Sequence, residues 1–242
     1  MKCVCFKLTG DYGHYRPYYT TSSPTTYSLM PPTSIYGLVG AMLGLDKIDN
    51  HYYKELESAN IRVGIGLLTP VKKTTMSTNL VNTKNNYWVP TNKNSSGPRT
   101  PTRFEYVVRQ EYLVFITMEN ELLLDELAER LEKHCFAYGI SLGLSNLIAD
   151  AELICYNILQ KVDKIDYIEM DSAVPTDKIE TEKGIKVLPD IKYCKERYVK
   201  KFGENRIPLD YVDVLFSTNA RKISVKCNEV YKLNNYHIAF LT

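Results

Sequence analysis

The chain has 242 residues, a length that suits one large domain or two small ones and a core built without staples. Its 44% hydrophobic and 24% charged residues exclude disorder, collagen-like repeats and disulfide miniproteins, and a net charge of +2 excludes a uniformly basic, histone-like binder. Tyrosine is over-represented, with 19 against 7 Phe and 1 Trp.

Residues 2–9 (KCVCFKLT) alternate polar and apolar, which predicts a half-buried first strand. A long loop, 10–33, follows with Tyr12, Tyr15, Tyr18, Tyr19 and Tyr27, beside His14 and Arg16. Pro31-Pro32 ends it, and Thr33 or Ser34 can cap a helix over 35–45 whose Gly37, Gly40, Ala41 and Gly44 leave one side thin. Glycines inside a helix cost about 1 kcal/mol each relative to alanine, so that thin side implies close approach of a backbone or a ligand. Strands are expected over 60–69, 104–118 and 151–159, and an amphipathic helix over 122–135 with Leu123, Leu127 and Leu131 on one face and His134 as C-terminal cap. The order strand, helix, strand, strand, helix, strand is the ferredoxin-like one, giving an α+β class. Beyond about residue 160, short runs (DYIEM, GIKVL, YVDVLFS, KISVK, HIAFL) predict a small, mostly antiparallel β domain over 161–242.

The six cysteines (Cys3, Cys5, Cys135, Cys155, Cys194, Cys227) form no C-x-x-C pair and no zinc-finger spacing, so buried free thiols and no metal are expected. The sequence runs from Met1 into a strand without a leader, and no stretch of about 18 apolar residues occurs. A cytoplasmic protein with no membrane contact is the expectation.

Charge is concentrated. Residues 71–104 hold Lys72, Lys73, Lys84, Lys93, Arg99 and Arg103 and no acid, so the remainder of the chain carries −4. The only Trp, Trp88, lies there beside Tyr87. Cations for phosphates and an aromatic pair for an unpaired base point to single-stranded nucleic acid, although a solvated hairpin or one docked on an acidic protein has the same composition. The Tyr-rich loop with Tyr15 and Arg16 is either a stacking surface or a cover for its own sheet. The helix start at Ser34 offers N–H groups to a phosphate. The turn 138–146, with Gly139, Ser141 and Gly143, follows neither nucleotide-binding glycine pattern and so speaks against a nucleotide hydrolase. The scattered histidines leave only His14 as a base for a metal-independent ribonuclease.

Four stretches together resemble the fifth family of CRISPR-associated (Cas) proteins, a RAMP-superfamily subunit of type I Cascade complexes: GDYGHYRP at 10–17, PPTSIYGLVGAMLGL at 31–45, TPTRFEYVV at 100–108 and YGISLGLSNLIADAEL at 138–153. In the last, Tyr138-Gly139 stands where proline is usual. The resemblance covers about residues 1–160 and implies a ferredoxin-like RAMP domain there. It also implies a β-hairpin thumb at about 71–103, a variable C-terminal β region and no cofactor. It implies partners too: the 5′ handle of the guide RNA, the adjacent backbone subunit, the large subunit and, through the complex, target DNA. RNA contacts would fall on Tyr15, Arg16, Ser34, Lys72, Lys73, Lys84, Trp88, Arg99, Arg103, Gly139 and Ser141. One subtype of the family cuts repeat RNA with a Tyr, Lys and His set. The loops here look closer to the subtype I-B group, which does not.

Overall fold

The computed structural model describes residues 1–20, 24–81, 99–163 and 166–242. Its main sheet is built from β1 (Lys2–Gly13), β2 (Arg62–Leu67), β3 (Lys73–Val81), β4 (Arg99–Thr117) and β5 (Asp150–Ile158). The order is β2-β4-β1-β5, with every pair antiparallel, as in Val4↔Ile116, Cys5↔Cys155 and Ile65↔Val114. The strands of each β-x-β unit are thus separated by a strand of the other unit, the ferredoxin-like arrangement the sequence order predicts. The N-terminal half of β4 runs on past β2 and pairs with β3, from Lys73↔Val107 to Val81↔Arg99.

Three helices, α1 (Pro32–Leu43), α2 (His51–Ser58) and α3 (Glu121–Glu132), complete this half. α1 begins earlier than its sequence suggests. Pro31 is its N-cap with no side-chain cap, and Thr33 and Ser34 lie inside the first turn, because proline at N1 has no N–H to leave unsatisfied. Gly44 is left-handed (φ 79°) and closes the helix, and a Cβ there would also lie 2.8 Å from the Ala137 Cβ, so close approach holds at this glycine as well. α3 starts on the Asn120 side chain, which accepts from the Leu123 N–H, and buries Leu124, Leu127, Ala128 and Leu131. His134 lies beyond the C-cap with φ 50° and an exposed ring 3.7 Å from Asp150, so it is not the cap. α2 carries no sequence signal strong enough to predict it; only Tyr53 and Leu56 of its eight residues are buried.

Both faces of the sheet are covered. Val4, Phe6 and Leu8 of β1 pack toward α1 and α3, while Cys3 and Cys5 pack with Leu113, Phe115, Leu233, Ile238 and Phe240. The first strand is therefore fully buried over Cys3–Phe6 instead of half-buried, because the C-terminal segment lies on the face a sequence reading assigns to water. Cys3, Cys5 and Cys227 are buried free thiols; Cys135 is exposed.

The C-terminal strands are β6 (Gln160–Val162), β7 (Ile168–Met170), β8 (Val174–Pro175), β9 (Ile185–Lys186), β10 (Tyr193–Phe202), β11 (Pro208–Ser217), β12 (Ile223–Val225), β13 (Val230–Leu233) and β14 (Tyr236–Ile238). They form three small antiparallel sheets, β10-β11-β8, β7-β12-β9 and β14-β13-β6. β10 reads as a charged stretch (YCKERYVKKF), yet its Tyr198 is fully buried. Tyr198, Val212, Val214 and Phe216 share one core with α1 and β4, so the β10–β11 ribbon closes over α1. No helix among the described residues is long and apolar enough to cross a membrane.

Candidate nucleic-acid interface

The β3–β4 ribbon sorts its residues by the two-residue period of a strand. One face carries Lys73, Thr75, Ser77, Asn79 and Val81 opposite Val107, Glu105, Arg103, Pro101 and Arg99; the other carries Met76, Leu80, Phe104 and Tyr106. Arg99 and Arg103 are exposed, four residues apart on one face, and among the described residues no carboxylate pairs with either. Lys72 precedes β3 and is exposed. Lys73 differs. Its Nζ donates to the Thr26 carbonyl (2.6 Å) and faces Glu105 (3.4 Å), whose carboxylate also accepts from the Thr26 N–H (3.0 Å). The acid-free window of the sequence ends one residue short of the carboxylate that neutralises Lys73. Lys84, Trp88 and Lys93 lie outside the described residues.

The same Lys73–Glu105 pair anchors the Tyr-rich loop, whose tyrosines divide between buried and exposed. Tyr15 and Tyr27 are buried; Tyr12, Tyr18 and Tyr19 are exposed. His14 is 3% exposed, with Nδ1 2.7 Å from the Glu105 carbonyl oxygen, rings of Phe104 and Tyr106 against it, and Nε2 without a partner among the described residues. Burial lowers its pKa, only partly offset by the bond to Glu105. Arg16 is exposed and donates to the Thr20 hydroxyl (3.3 Å) and carbonyl (2.7 Å).

Tyr15, Arg16, Ser34, Gly139 and Ser141, spread over more than 120 positions of sequence, line one cleft of about 410 Å³ above α1. α2 and the β10–β11 turn supply a wall that sequence reasoning missed: Asn50, Tyr52, Tyr53, Phe202, Gly203 and Arg206. Among the described residues the lining holds two arginines and no carboxylate. Within this wall the Arg206 guanidinium is tied down, its Nε donating to Asn50 Oδ1 (3.0 Å) and its terminal nitrogen to the Tyr52 hydroxyl (3.1 Å). The turn Gly203-Glu204-Asn205-Arg206 gives no sequence signal of this, since its partners lie some 150 residues earlier. The helix N-terminus contributes less than expected. Pro32 has no N–H, and those of Ser34 and Ile35 both donate to the Pro31 carbonyl, which leaves the Thr33 N–H as the one first-turn donor without a backbone acceptor among the described residues. Among the described residues no cluster of His, Cys, Asp or Glu could hold a metal ion.

The fold itself is that of CRISPR-associated proteins. A CRISPR protein from Archaeoglobus fulgidus superposes over 100% of both chains with a TM-score of 0.57 at 15% identity. A chain of a CRISPR RNA-guided surveillance complex matches 92% of this chain and 91% of its own (TM-score 0.51, 12% identity). A chain of the type III-B Cmr-beta complex bound to cognate target RNA and AMPPnP matches 93% and 86% (TM-score 0.52, 11% identity). No curated protein matches the sequence significantly. A family model described as CRISPR-associated protein (Cas_Cas5) matches residues 3–216, and the chain belongs to that family.

Proposed function

We propose that this chain is a non-catalytic, RNA-binding subunit of a type I CRISPR surveillance complex of the I-B kind, capping the 5′ handle of the guide RNA and joining the adjacent backbone and large subunits. The observation that carries the reading is the exposed pair Arg99 and Arg103 on one face of the β3–β4 ribbon, with no carboxylate partner among the described residues, in a chain of this family. Such a ribbon acts as a thumb laid along the phosphates, while splayed single-stranded bases give sequence readout. The structures that the chain resembles include a subunit of an RNA-guided surveillance complex, which supports the same role here.

Burial of His14 supports binding without cleavage. A general base must reach the 2′-hydroxyl, and the ring is enclosed by Phe104, Tyr106 and the Glu105 carbonyl. Co-expressed with its partner subunits, the chain should purify with a uniform short RNA. Alone with labelled repeat RNA in EDTA, it should give no defined cut. A protein-only scaffold would come out free of nucleic acid, and a defined cut abolished by His14→Ala would establish the endoribonuclease instead.

A further inference from the structure

We infer that the cleft above α1 holds one nucleotide turned out of a single RNA strand, its base against Tyr52 and Phe202, which the buried Tyr53 backs, and its phosphate on Arg206. The inference rests on the RNA-binding reading and adds to it a site that the β3–β4 ribbon does not provide.

Four features specify this occupant. The volume, about 410 Å³, falls within the range of pockets that enclose small ligands, about 300–1,000 Å³. The aromatic wall is held in place: Tyr53 lies 5.3 Å from the Tyr36 ring and 6.1 Å from Phe202, and its hydroxyl accepts from the Phe202 N–H at 2.9 Å. Rigid rings are what a base of any identity can stack on. Arg206 is presented by a turn in which both Asn205 and Arg206 are left-handed (φ 56° and 58°), a backbone that folds the side chain back over the cleft. Asn50 and Tyr52 use two of its five N–H donors and fix the plane of the guanidinium, leaving the others for a phosphate. Finally, a side chain at Gly37, on the α1 floor, would meet nothing within 4 Å. A helix-interior glycine that no neighbour requires is destabilising without a packing reason, and an open floor supplies one.

The rim continues the path. Tyr18 lines the cleft, is half exposed and lies 5.2 Å from Tyr19 and 5.3 Å from Tyr211, so three accessible rings stand where the neighbouring nucleotides would leave. Ser34, Thr33 and Asn50 offer hydroxyl and amide groups to base edges.

The test uses the full chain and short single-stranded RNAs of random sequence with 5-iodouridine at one position at a time. Irradiation should crosslink within peptides containing Tyr52, Tyr53 or Phe202. Gly37→Leu, which fills the floor, should abolish those crosslinks and weaken binding by about tenfold, with a melting temperature no lower than the parent's. Should that variant fail to fold, Arg206→Ala, at an exposed turn, decides: affinity should fall and the salt slope should shrink by about 0.7. Parent protein that binds RNA without crosslinks in those peptides, or variants that bind like the parent, would overturn the cleft assignment alone. Parent protein that binds no RNA at any salt would overturn the RNA-binding reading and this one together.

Discussion

Replacing Lys72, Arg99 and Arg103 together by alanine should weaken guide RNA binding by about tenfold to a hundredfold at physiological salt and reduce the salt slope by about 2. Each phosphate contact to a single strand releases counterions worth about 0.7 in that slope, and three contacts are removed. All three side chains are exposed, and none is paired with a carboxylate among the described residues, so their loss leaves the fold intact. Lys73 behaves differently despite lying beside Lys72. Its ammonium holds the Thr26 carbonyl and the Glu105 carboxylate, so Lys73→Ala should lower the melting temperature by releasing the Tyr-rich loop while changing the salt slope little. Filter binding from low to high salt, with circular dichroism to verify folding, separates the two. A folded triple variant with the parent's affinity and slope would remove the ribbon from the RNA interface.

The contrast between Lys72 and Lys73 shows where sequence reading reached its limit. Strand and helix order came from local periodicity, and it placed β1, α1, β2, α3 and β5 within a few residues of their observed bounds, with the start of β4 five residues late. Periodicity is a property of one segment. It cannot report that a second layer, β13–β14 and the residues after them, covers the other face of β1, nor that β10 turns Tyr198 into the core. Charge counting located the ribbon but treated each cation as free, since the carboxylate that neutralises Lys73 is 32 positions away. The cleft was legible in part. Motif resemblance selected Tyr15, Arg16, Ser34, Gly139 and Ser141 one by one, and their meeting point with Arg206 exists only once β10–β11 folds over α1.

Gly139 and Gly143, which a sequence reading groups into one phosphate-like turn, should respond oppositely to alanine. Gly143 has φ 97°, a left-handed conformation, and a Cβ there would lie 1.9 Å from the His14 carbonyl oxygen. That contact sets a Cβ, whose position the backbone fixes, against a backbone oxygen, so no rotamer can relieve it. The two segments are laced together next to it, since the His14 N–H donates to the Leu142 carbonyl at 2.9 Å. Gly143→Ala must therefore either break this lacing or push His14 and Tyr15 out of the core. Strained backbone costs about 1–3 kcal/mol before the clash is counted, so a total loss of about 3 kcal/mol or more is expected. For a chain of this size that lowers the melting temperature by about 6–12 °C. At Gly139 the added methyl meets nothing within 4 Å, so stability should stay within about 0.5 kcal/mol of the parent. Gly139 sits on the cleft rim, and any loss of RNA affinity in a Gly139→Ala protein of unchanged stability reports on the rim itself. Thermal melts of the two variants under one set of conditions check the difference: similar stabilities would mean that the loop after α3 is not bound to β1 as the geometry requires.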